Sequence, residues 1–340
     1  MVISIVTTPA KLACGPLVPA AQTGGFIFYQ TMIYNKEAYS NQIHVSRLKE
    51  RGLLIPDEGT AISALNVIGY YRLSAYTLPF ESGKLPDGTR DHRISRPIEI
   101  NHILGLYEFD HRLRRHVMSA IERIEVALRA LWGNEIAIKC GPHAYMDSIH
   151  FRDVLKHAED LVKVAQEIKK SKEAFVEHYY ARYGEPGLPP IWAIVETFSL
   201  GQLSRWFQNT KESAMKRDIM RHFGMPTVEA FEGVLHALTP VRNLCAHHGR
   251  LWNRRFTLRL PGLHILGSSL LPHREGNPSD LLLHNYLVVI NYLLEKLGQN
   301  GVWLKILVNL VQERDQWELS HMGFIDGWRD HEPWKSAFLE

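Results

Sequence analysis

The chain has 340 residues, 45% of them hydrophobic and 22% charged, with 39 Lys and Arg against 36 Asp and Glu for a net charge of +3. That is the composition of an ordinary folded chain, long enough for one large domain or two modest ones, and it excludes a low-complexity polymer. Mild basicity permits a nucleic-acid partner without requiring one, because a local patch matters more than the total.

Three scattered cysteines, Cys14, Cys140 and Cys245, form neither a disulfide framework nor a Cys-x-x-Cys metal pair, and point to a reducing cytoplasm. No membrane segment is expected. The apolar run at residues 287–294 is broken by Asn291 and too short for a bilayer, and residues 2–6 precede Lys11 in the wrong order for a signal peptide.

In chain order, residues 1–35 are rich in Gly, Pro, Thr and Ala without periodicity and read as a poorly ordered tail. Residues 36–82 predict a helical segment packed on the main domain. A first helix over 37–52 is closed by Gly52, and a second opens at Asp57-Glu58 and leads into Gly69-Tyr70-Tyr71-Arg72. Tyr70, Tyr71 and Tyr76 read first as packing residues; a base-stacking surface beside Arg72 is the functional alternative. Residues 82–97, with Gly83, Pro86-Asp87-Gly88 and Pro97, form a turn-rich boundary.

The main domain is expected over 98–320. Apolar residues from Ile100 through Leu113, Val117, Ile121, Ile124 and Leu128 to Leu131 recur in steps of three and four, which predicts one long helix over 98–139. Glu125 and Arg129 are spaced as an i,i+4 pair on its polar face, and some of these charges could instead orient a site from across a bundle. Helices follow over 151–170 and up to Tyr183-Gly184. A stiff connector, Glu185-Pro186-Gly187-Leu188-Pro189-Pro190, comes next, and then helices over 191–200, 201–209 and 211–223. Thr239-Pro240 reads as an N-cap and first helical position, or as a kink in a continuous helix. Residues 256–280 are irregular, helices return over 280–297 and 303–311, and 321–340 form a C-terminal extension. With no strand run and no repeat, the fold class is all-α.

Residues 239–255, Thr-Pro-Val-Arg-Asn-Leu-Cys-Ala-His-His-Gly-Arg-Leu-Trp-Asn-Arg-Arg, concentrate the chemistry. Arg242, Arg250, Arg254 and Arg255 carry planar forks suited to phosphate oxygens. His247 and His248 are proton carriers near neutral pH, and Asn243, Asn253 and Trp252 add hydrogen bonds and a stacking face. Cleaving RNA through its own 2′-hydroxyl needs a base, an acid and a cation for the phosphoryl charge, and histidine with arginine covers all three without a metal. Arg242 and His247 are five residues apart, about 140° around a helix, whereas Asn243 and His247 share a face. One copy therefore supplies half a site, and a twofold pair would gather two arginines and two histidines around one phosphate. By spacing alone the pattern is weak. A metal site on Cys245, His247 and His248 and a non-catalytic RNA-binding module are the competing readings.

Residues 242–254 resemble the hallmark of the Abi-like (abortive infection) proteins of bacteria, within the HEPN superfamily. Arg51-Gly52-Leu53, Tyr70-Tyr71-Arg72-Leu73-Ser74, Tyr107-Glu108-Phe109-Asp110 with Leu113-Arg114, residues 121–129, and Tyr183-Gly184-Glu185-Pro186 through Trp192 resemble the same family in the same order, over roughly residues 40–256. The resemblance implies a HEPN-type helical bundle with additional N- and C-terminal helices. It also implies a metal-independent endoribonuclease without cofactor, acting at a composite homodimer site and leaving 2′,3′-cyclic phosphate ends. Arg242 would stabilise phosphoryl charge, His247 would move protons, and Asn243 would orient one of them, with His248 in support. RNA would be held by Arg250, Trp252, Asn253, Arg254, Arg255 and Arg72. The implied setting is a cytoplasmic, toxin-like role in phage defence, with an antitoxin or phage-derived trigger as a further partner; the alternative is a sensor module that binds RNA without cutting it.

Overall fold

The computed structural model describes residues 37–338 except 87, 277, 278 and 300; the tail expected over 1–35, and Cys14 within it, lie outside the described residues. The protein is all-α. Among the described residues, extended pairing is confined to three isolated bridges, Leu54–Glu99, Glu81–Ile94 and Phe151–Thr210. The chain divides into two compact units, the first ending at Tyr107 and the second beginning at Glu108.

The first unit holds α1 (Asn41–Glu50), α2 (Glu58–Ile68), α3 (Tyr70–Thr77) and the first two turns of α4 (Ile100–Cys140). Ser40 caps α1 by accepting from the Ile43 N–H, and Asp57 caps α2 through Gly59, each satisfying a donor that the helix itself leaves unpaired. Gly69, at φ 82°, allows α3 to begin directly after α2. Tyr70 stacks on His44 at 4.0 Å and accepts from Arg51 Nη1 at 2.7 Å. Tyr76 is buried edge-on to Tyr107. Both are packing residues, whereas Tyr71 is 92% exposed.

The second unit is assembled on the rest of α4. Leu113, Val117, Ile121, Ile124, Leu128, Trp132 and Ile136 are fully buried, and their spacing of three and four residues makes one continuous apolar stripe. The other helices of this unit are α5 (Val154–Lys170), α6 (Ala174–Arg182), α7 (Ile191–Ile194), α8 (Leu200–Asn209), α9 (Ser213–His222) and α10 (Val228–Ala246), then α11 (Leu283–Lys296), α12 (Trp303–Val311) and α13 (Gln316–Ser320). Helix α8 packs on both α10 and α5, and α9 packs on α10. The Trp132 indole donates to Thr210 Oγ1 at 3.1 Å. His116 of α4 stacks on Trp303 of α12 at 4.9 Å, with a hydrogen bond from each ring to the other residue's carbonyl.

One expectation is corrected and one open alternative is resolved. The helix expected over 191–200 breaks, because Ser199 and Gln202 form a reciprocal capping box that starts α8 afresh. Of the two readings of Thr239-Pro240, the continuous helix is the one found: Thr227 is the N-cap of α10, accepting from the Ala230 N–H at 3.1 Å, and α10 continues through Pro240. Pro240 leaves the His236 carbonyl without its helical donor, while the Thr239 hydroxyl donates to Leu235 O at 2.9 Å. Met322, Phe324, Trp328 and Trp334 add to the core of this unit. Trp328 and Trp334 are buried beside Phe324, and the Trp334 indole donates to His284 Nε2 at 3.0 Å. Among the described residues, no helix is long and apolar enough to cross a membrane.

Candidate functional site

The C-terminal end of α10 fixes the geometry of the Arg/His segment. The Gly249 N–H bonds to Leu244 O at 2.7 Å and the His248 N–H to Cys245 O at 3.3 Å. These are the two bonds of a Schellman closure, with His247 as the C-cap. The left-handed position of that closure usually holds glycine, but here His248 occupies it at φ 57°. Gly249 follows where a Cβ would meet Leu244 Cδ2 at 2.7 Å. That atom is the end of a half-buried leucine side chain, and Gly249 is not at a positive φ, so the turn itself does not require glycine there.

A buried carboxylate anchors the chain beyond this turn. Asp110, fully buried on α4, accepts from the Trp252 N–H at 2.6 Å and the Leu251 N–H at 3.1 Å, and pairs with Arg114 four residues along its own helix. That pull takes Trp252 inside, where its indole donates to Glu318 O at 3.0 Å. Trp252 is therefore corrected as an RNA-binding residue: it is 0% exposed and presents no face to a base. Asn253 comes next at φ 52°. Arg250 and Asn253 are half-buried, and Arg254 and Arg255 are exposed.

A second buried carboxylate positions Arg242. Glu125, 4% exposed, accepts from Arg242 Nε at 3.2 Å and from Arg129 Nη2 at 2.5 Å. Arg129 in turn donates from Nε to Phe198 O at 3.0 Å, and its Nη1 lies 3.6 Å from Glu196. Glu125 thus joins α4 to α10, holding Arg242 by Nε.

Asn243 and His247, both exposed, line one cavity of about 520 Å³ with His236, Thr239, Pro240 and Leu258. Arg242 does not line it. The arrangement therefore gathers Asn243 and His247 on one face, turns Arg242 toward Glu125, and leaves Arg254 and Arg255 on the surface after the turn. Arg72 is in the other unit, exposed on α3.

Cys245 is buried, and burial pushes its thiol up to about 12. It stays a protonated core thiol, while His247 and His248 are exposed. Among the described residues, no group of three His, Cys, Asp or Glu side chains is arranged to hold a metal ion.

Sequence reasoning did not assign Asp110 and Glu125 to the site. Both sit in stretches that carried the family resemblance, and both have an arginine four residues on. That spacing signals a surface pair; only the fold shows the third partner from α10 and the turn beyond it.

Comparison with protein families finds the family described as Abi-like protein, whose model matches residues 63–253. That is more than half of the chain, and the chain belongs to this family. No curated protein and no solved structure matches it.

Proposed function

We propose that this Abi-like protein is a metal-independent endoribonuclease of the HEPN type, serving as an RNA-cleaving toxin in abortive-infection defence. The observation that carries the reading is the shared cavity of Asn243 and His247 at the end of α10, next in sequence to an arginine seated on a buried carboxylate. His247 takes the proton of a 2′-hydroxyl as its oxygen bonds to phosphorus. Arg242 holds the charge that builds on the non-bridging oxygens. The bond to the 5′-oxygen breaks, and that oxygen receives a proton from the histidine of a second copy. The products are a 2′,3′-cyclic phosphate and a 5′-hydroxyl. Asn243, one helical turn from His247, orients the imidazole or the phosphate. Two copies around one phosphate supply the acid and base together, so activity per protomer falls on dilution as dimers separate; full activity in the monomer contradicts the composite site.

The test is cleavage of a labelled single-stranded RNA in the presence of EDTA by the wild type and by His247→Ala. Cutting by the wild type alone supports the proposal. A second reading, an RNA-binding sensor that does not cut, draws on the Arg242–Glu125 pair, since an arginine held by a buried carboxylate also suits a structural role. It gains ground if both proteins bind the RNA and neither cuts.

A further inference from the structure

The proline- and aromatic-rich stretch from Tyr183 to Trp192 has no part in the proposed cleavage, yet it walls a cavity of about 420 Å³, within the range of roughly 300–1,000 Å³ usual for ligand sites. Phe175, His178, Tyr183 and Trp192 contribute rings, and Glu185 contributes a carboxylate. The wall is preorganised by hydrogen bonds. Tyr179 Oη donates to Pro186 O at 2.6 Å, Tyr180 Oη to Gly187 O at 3.0 Å and Tyr145 Oη to Pro189 O at 2.7 Å, while the Ile191 N–H holds Pro142 O at 2.8 Å. The rings are nevertheless open: Trp192 is 54% exposed and Tyr183 49%.

A neighbouring cavity shares Phe175 and carries Glu167, Glu173 and Glu196. Glu167 accepts from Gln202, and Glu196 lies 3.6 Å from Arg129. Among the described residues, no ion pair involves Glu173 or Glu185. Lys169, Lys170, Lys172 and Arg182 are the nearby cations in sequence, and none of them lines either cavity. The excess of carboxylates is confined to the linings, which hold Glu167, Glu173, Glu185 and Glu196 and no Lys or Arg, on a chain whose net charge is +3. It repels a phosphate backbone and attracts cations, and aromatic faces bind guanidinium ions through their quadrupoles, Trp best of all.

From this cavity and its charge we propose that the Tyr183–Trp192 wall is a docking site for an arginine-bearing basic segment of a partner protein, with one guanidinium on the Trp192 and Tyr183 rings beside Glu185 and the next cation over the Glu173 side. The site is separate from the cleavage proposal and stands without it.

The test measures binding of a fluorescein-labelled (Arg-Gly)₃ peptide to the full chain by anisotropy, against the same peptide with citrulline in place of arginine. Citrulline keeps the shape and removes the charge. The arginine peptide should bind saturably and the citrulline peptide at least about tenfold more weakly, with a similar loss for Trp192→Ala and a smaller one for Glu185→Gln. Trp192→Phe, which keeps a ring, should stay within about threefold of the wild type and controls for folding. Absence of saturable binding, equal binding of the two peptides, undiminished binding by Trp192→Ala, or Trp192-dependent binding of a single-stranded RNA in the peptide's place would each overturn the proposal.

Discussion

At the residue scale, Arg242, Asn243 and His247 could be picked out because they lie within one helical turn and a half of each other, where spacing alone sets which share a face. Glu125 could not, because its partner is 117 residues away and only packing brings α4 to α10. The proposed cleavage depends on that contact. Glu125→Gln keeps an acceptor for Arg242 but removes the charge that fixes it, so single-turnover cleavage should fall by about 10- to 100-fold with the fold intact; an unchanged rate would reduce Glu125 to a structural role. His248 makes a different prediction. Its left-handed backbone carries a cost that glycine does not, so His248→Gly should raise stability by about 0.5–1 kcal/mol in urea unfolding. If it also leaves cleavage unchanged, His247 is the sole proton carrier of the pair.

At the scale of elements, periodicity found the helices with regular apolar stripes. Helix α4 was expected over 98–139 and runs from Ile100 to Cys140. Ambiguity and error arose where a local signal competed with packing. Pro240 looks like a helix start, but the apolar face of Phe231, Val234, Leu235 and Leu238 is fully buried, and that burial carries α10 past the missing hydrogen bond. Trp252 looked like a stacking ring because it stands among arginines; its place was decided by Asp110, which lies 142 residues away. Removing that carboxylate should be severe. Asp110→Ala strips the acceptor from two backbone N–H groups and leaves buried Arg114 unpaired, a loss of about 3–5 kcal/mol, visible as a large drop in the urea midpoint. A loss below about 1 kcal/mol would show that water or another group replaces it.

For the whole molecule, the C-terminal Trp-rich residues were the least legible part of the sequence, since no period marks them. They are ordered by side-chain contacts onto α11, centred on His284. Burial holds the His284 pKa down to about 4 from an ordinary 6.5, so the folded protein keeps the imidazole neutral to accept from Trp334. Because the folded value lies below the unfolded one, the stabilisation is complete above pH 6.5 and is lost as pH falls toward 4. Unfolding free energy should drop by about 2 kcal/mol between pH 7.5 and 5 from this group alone. His284→Gln should flatten that part of the profile; an equally steep loss in the variant would place the acid sensitivity elsewhere.

The proposal that the chain cuts RNA through the RNA's own 2′-hydroxyl is tested most directly by the substrate. One single-stranded sequence would be offered in EDTA as unmodified RNA and as its fully 2′-O-methyl counterpart, with His247→Ala run in parallel. The expected result is cleavage of the unmodified strand only, by the wild type only, with 2′,3′-cyclic phosphate ends. Cleavage of the methylated strand, or products ending in a 5′-phosphate, would contradict it.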